Sequence, residues 1–327
     1  MAALCAAAPA SGGCLNPAVS LTLGLTGGLA WPPALGCVAA QLGACVLTGF
    51  SVSLAIFVRP VAFGPQAPFS WGSAALAEVV FTLLLCLVAG SRSTDDGGRV
   101  RAVALGLAAV AGGGAAGGFS GGCLNPAMAL GMDLAGATEA TGWGTAWALA
   151  ELAGAAVAAG ALIGRAKLGD AVSGTAWICL LESVGSFFLT ALVGAVSITA
   201  PPDGATARCV IGAAVACLML AFGDGMPAHV SPAVTLAALA RPGAERVSPR
   251  EAFSRWAGQL AGSAGAAVLV AFWAWDAELL QTAASERGVL LGAPVGSLAR
   301  ELLCAAGLAL AALCTRRERG TPAAEGP

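Results

Sequence analysis

The sequence predicts an all-α membrane protein built from inverted three-helix repeats. It should hold about eight transmembrane helices, with short half-helices re-entering the membrane between them. Three observations predict this. The octapeptide Ser-Gly-Gly-Cys-Leu-Asn-Pro-Ala occurs identically at 11–18 and 120–127, and in degraded form, Met-Pro-Ala-His-Val-Ser-Pro-Ala, at 226–233. Hydrophobic residues make up 57% of the 327 and charged residues only 10%, where a soluble domain carries about 25% charge. Apolar runs follow one another along the chain, most of them near the roughly 20 residues that span a bilayer.

Composition also excludes other classes. A net charge of −2 without a basic aromatic patch offers nothing to nucleic acid. One His excludes a multi-His metal site within the chain, and no cofactor is implied. The eleven Cys form no Cys-x-x-Cys pair and read as small membrane-core residues. No nucleophile–base pair or phosphate loop suggests an enzyme. Residues 1–10 lack a basic stretch, so no cleavable signal is expected.

The elements follow in order. Apolar runs cover 34–58, 72–91, 101–117, 143–164, 174–198, 208–223, 251–273 and 289–314, and a polar tail at 316–327 is expected to be disordered. Each motif copy starts a helix of two to three turns. Asn16, Asn125 and Ser231 are N-caps; Pro17, Pro126 and Pro232 take the first helical position, where a missing N–H costs nothing; Ala18, Ala127 and Ala233 continue the helix. Ser231 is expected to cap as well as Asn, with a shorter reach.

Alternating the eight runs from a cytoplasmic segment 1–33 puts twelve Lys and Arg, Arg255 among them, on the cytoplasmic side and four on the other. That is the positive-inside bias. It also puts Asn125 on the face opposite Asn16 and Ser231, so two half-helices enter from opposite sides with their N-termini toward the centre. Consecutive three-span units are therefore inverted.

Other residues repeat in step. Glu78 precedes Asn125 by 47 positions and Glu182 precedes Ser231 by 49. Gln41, Glu151 and Gln259 follow the three motifs by 25, 26 and 28. A carboxyl at membrane depth costs about 2.5–3.5 kcal/mol, and irregular backbone there must be satisfied by protein or cavity water. Glu78 and Glu182 are therefore expected to brace the loops by accepting their orphan N–H groups; Glu301 opens the last run without a motif after it.

These motifs closely resemble the aquaporin, or major intrinsic protein, family. The resemblance covers nearly the whole chain, and it implies two inverted halves with one Asn-Pro-Ala loop each. The order departs from the family's. Residues 1–58 resemble the end of a first half, 72–164 a complete second half, 174–273 a complete first half, and 289–314 the start of another second half, as in a window cut from a tandem. A pore between the loops at 125 and 231 is favoured, since one between 16 and 125 would lack two helices of wall.

The resemblance further implies a passive channel for water or small neutral solutes such as glycerol, urea, ammonia or peroxide, in a homotetramer. Carried over by spacing, its outer constriction falls on Ile211, Gly113, Gly122 and Met128, with Met128 where the family usually has Arg. The constriction is expected to be wide and apolar. Cys123 is a candidate for block by mercurials, and His229 for a loop hydrogen bond or a pH gate. Two other classes stay open: a non-conducting fragment or regulatory membrane subunit, and a coupled transporter, which would need a midplane ion site.

Overall fold

The computed structural model describes residues 13–55, 64–91, 99–135, 142–168, 172, 174–199, 204–222, 228–241 and 247–285. The expected span at 289–314, Glu301 and the tail at 316–327 lie outside them. Among the described residues the elements are α1 (Pro17–Leu25), α2 (Trp31–Ala55), α3 (Trp71–Gly90), α4 (Arg99–Ser120), α5 (Pro126–Ala135), α6 (Trp143–Leu168), α7 (Gly174–Thr199), α8 (Ala205–Phe222), α9 (Pro232–Ala240) and α10 (Pro249–Ser285). Seven are long and apolar enough to cross a membrane; α1, α5 and α9 are the half-helices.

Helices α4, α6 and α10 outrun their expected ends by three residues or more. Gly117-Gly118 does not stop α4, which runs on to Ser120, and the Gly121 N–H closes its last turn on the Gly117 carbonyl at 3.1 Å. Helix α10 continues well past 273, since Ala, Glu, Leu and Gln follow with no Gly or Pro before Ser285. At 37 residues it is about 55 Å long, more than the roughly 30 Å hydrocarbon core.

The same pairing recurs twice. Helix α3 packs along α6, and α7 along α10. Small residues permit the close approach: a side chain at Gly258 or Gly262 of α10 would drive into the Cys179 and Ser183 carbonyls of α7. Trp273 of α10 reaches back to the other pair, its ring 4.8 Å from Phe119 and 6.0 Å from Phe81. Asp276 of α10 accepts the Ser70 N–H at 2.9 Å, at the start of α3.

Packing order differs from chain order. Helix α1 lies against α2, α3 and α6, and α2 lies along α5, while α8 runs along α4 and α7 touches α4 and α8. The first motif helix is thus seated in the 72–164 repeat, and α9 packs on α10. Helix α2 has little cover: 11% of its apolar window is buried, against 67% for α3.

Candidate functional site: the paired motif loops

Each motif helix starts from the same backbone device. The residue before the cap is left-handed without being glycine: Leu15 has φ 45°, Leu124 φ 53° and Val230 φ 52°. Such a conformation costs about 1–3 kcal/mol and persists only where surroundings impose it. Here it turns successive N–H groups to one side, a concave pair suited to an anion. Glu78 fills one such pair, accepting Cys123 N–H at 3.0 Å and Leu124 N–H at 2.9 Å, and the Ser120 hydroxyl at 2.5 Å. Glu182 fills another, accepting His229 N–H at 2.7 Å and Val230 N–H at 2.8 Å. Both Glu are fully buried.

The first and second loops are joined to each other. Asn16 Nδ2 donates to the Leu124 carbonyl at 2.7 Å, and Asn125 Nδ2 donates to the Leu15 carbonyl at 3.0 Å. Each amide oxygen meanwhile caps its own helix: Asn16 Oδ1 accepts Ala18 N–H at 2.9 Å, and Asn125 Oδ1 accepts Ala127 N–H at 3.1 Å. Helices α1 and α5 therefore meet at their N-terminal ends. This corrects the expected pairing of 125 with 231. Helices α7 and α8 pack against α4, so the 72–164 repeat that carries both loops has helix neighbours from the later part of the chain.

The third loop stands apart, in a polar cluster of its own. Arg255 donates to Glu182 at 2.7 Å and to Glu251 at 2.7 Å, and is only 4% exposed. It is therefore a buried partner of Glu182, where the sequence counted it as a cytoplasmic loop charge. Gln259 Nε2 donates to Glu182 at 2.9 Å and to Thr235 at 3.0 Å. His229 Nδ1 lies 3.1 Å from Thr235 Oγ1, which places the ring inside this cluster. Ser231 does not cap α9 as expected: its hydroxyl makes no cap hydrogen bond and its oxygen is buried without a partner. The short side chain is turned from the N–H groups that an Asn amide reaches in the other two loops.

Three polar residues with no role expected from the sequence complete the bracing, and all three had repeated in register with the motifs. Glu151 accepts the Asn125 N–H at 2.7 Å. Gln259 serves Glu182 as above. Gln41 lies over the first loop; with its amide oxygen inward it accepts Leu15 and Asn16 N–H at 3.3 and 3.1 Å.

A cavity of about 230 Å³ opens at the 16–125 junction. Besides the two loops, Val19, Leu85, Leu105, Ala109 and Met128 line it. Of the four constriction positions, Gly122 and Met128 face this cavity, and Met128 is 43% exposed. Gly113 abuts Gly122, where a side chain on either would strike the other's carbonyl. Ile211 is half-buried on α8, next to Val210, which packs on Gly114. Cys123 is 7% exposed at the cavity wall, and its Sγ lies 3.4 Å from the Asn125 carbonyl.

A family model described as Major intrinsic protein matches residues 1–163 and 178–324. The chain is 32% identical over 124 residues to a Nicotiana alata protein named Probable aquaporin NIP-type, covering 37% of this chain and 46% of that one. It is also 32% identical over 124 residues to Probable aquaporin NIP4-2 of Arabidopsis thaliana, covering 37% and 44%. The chain thus spans about half the length of the curated relatives it matches. No solved structure matches. Because the family match covers most of the chain, and seven of the described helices are long and apolar enough to cross a membrane, the chain is an integral, multi-pass membrane protein and belongs to the major intrinsic protein family.

Proposed function

We propose that the chain is a passive channel for water and small neutral solutes, with its waist between Asn16 and Asn125. The reciprocal amide–carbonyl bonds between the two loops carry this reading. An amide NH₂ has two donors. One of each pair is spent on the opposite loop, and the amide oxygens are spent on capping. The waist therefore offers passing molecules one N–H from each Asn. A water there accepts from both sides and points its own hydrogens away, which interrupts a proton wire. The two helix N-termini add about half a positive charge each and oppose cations.

The cavity wall at Gly122 and Met128 is apolar, with no fixed cation among the residues that line it. It favours solutes of glycerol size at least as well as water. No carboxylate is among the described residues that line the cavity, which argues against ion-coupled transport. The names of the matched relatives, both probable aquaporins, support a channel over an enzyme.

The test is light scattering from liposomes holding the purified chain. An osmotic step with sucrose should shrink them faster than empty vesicles, and glycerol should then re-swell them. Met128→Arg should lower glycerol permeability about tenfold while leaving water flow within about threefold, since a cation now narrows the opening. Rates equal to empty vesicles, from inserted and folded protein, would reject the channel.

A further inference from the structure

The Asn125 loop is held by two carboxyl groups where the other loops have one or none, and among the described residues no cation pairs with either. Glu78 and Glu151 are both 0% exposed, and they accept from successive N–H groups of one loop, those of Leu124 and Asn125. Glu78 receives three donors, from Ser120, Cys123 and Leu124. Glu151 Oε1 receives one, from Asn125, while Glu151 Oε2 is buried with no donor. Two carboxylates on one buried loop, out of water and without a counter-charge, do not both stay ionised.

The third loop shows what the arrangement needs. There the carboxylate of Glu182 receives a donor from Gln259, which occupies the place of Glu151 in its own repeat. It also receives the guanidinium of Arg255, four residues before Gln259. Four residues before Glu151 stands Trp147, fully buried and uncharged. The other titratable groups that face Glu151 are Cys86 of α3 and Cys123 of the loop, and neither supplies positive charge. From α1, the neighbour across α6 is the Thr22 hydroxyl, which donates to the Ala155 carbonyl.

We propose that Glu151 carries a proton on its buried Oε2 and donates it to Glu78. A protonated Glu has one donor and one acceptor face, as a Gln has. Glu151 thus fills the glutamine's place: Oε1 accepts the Asn125 N–H, and the Oε2 hydroxyl donates to Glu78 as Gln259 donates to Glu182. The proton takes the part played by Arg255 in the third loop, and the buried pair carries one negative charge instead of two.

The test reads the proton directly and does not require transport. Infrared difference spectra of the full chain in liposomes, at neutral and mildly alkaline pH, should show a buried carboxylic-acid carbonyl band. Glu151→Gln should abolish it, with thermal stability within a few degrees of the parent. Glu78→Gln should also abolish it, because a Gln there supplies the shared donor. Asp133→Asn should leave it in place. A folded parent chain without the band, or a band that survives in either Gln variant, would overturn the proposal. A chain that conducts nothing yet shows the band and loses it in both variants would separate this site from the channel reading.

Discussion

The Asn125 loop and the Ser231 loop share a backbone and differ in everything placed around it. Both have a left-handed residue before the cap, and a buried Glu accepting the two preceding N–H groups. Past that point they diverge. The Asn125 amide reaches across to another loop and caps its own helix, while the Ser231 hydroxyl does neither. The first is braced by a pair of acids and the second by an acid, a guanidinium and an amide. The difference teaches that bracing and pairing are separate properties. A motif loop can be fully supported at its base without meeting a partner at its tip.

The strongest way to break the comparison is to remove the shared part. Glu182→Ala removes a buried carboxylate partner of Arg255 and strands two N–H groups. It should destabilise the fold by about 3–5 kcal/mol. Glu78→Ala strands two N–H groups and a hydroxyl, and should cost about 3 kcal/mol or more. Thermal unfolding in detergent, read by intrinsic tryptophan fluorescence, checks both; a loss under about 1 kcal/mol in either would show that the carboxylate is not what holds its loop.

A smaller effect separates the tips. Asn16→Ala removes a cap worth about 1 kcal/mol and a bond to Leu124 worth about another. It should lower stability by about 2 kcal/mol and reduce water flow in liposomes. The smallest effect is at the third loop. Ser231→Ala should shift stability by no more than about 0.5 kcal/mol, because the hydroxyl caps nothing. Ser231→Asn should gain about 1 kcal/mol if the amide reaches the α9 N–H groups. A loss on Ser231→Ala as large as that on Asn16→Ala would mean the two tips are equivalent after all.

Much of the fold was legible because it rests on local signals. Apolar length gave the spans, and Asn-Pro or Ser-Pro gave the half-helix starts. Glu78 and Glu182 stood out because each precedes its motif by nearly the same interval. Gln41, Glu151 and Gln259 repeated in register too, but nothing local says that three different side chains face a loop. The choice of partner was not legible. All three loops carry nearly the same motif, and pairing depends on which helices fill the space beside α4. Arg255 was misread for a related reason. A basic residue near a helix start looks like a loop charge until the opposite helix supplies an acid.

The reciprocal bonds between the Asn16 and Asn125 loops also set an order in time. Their partners lie about 110 residues apart, whereas the Ser231 loop finds Glu182 47 residues behind it and Thr235 meets Gln259 24 residues ahead. At roughly 5–20 residues synthesised per second, the first loop waits some 5–20 s for its counterpart. The third completes its contacts within a few seconds of emerging. Assembly of the central junction is therefore a late event, completed well after the segment that holds Asn16 has been made.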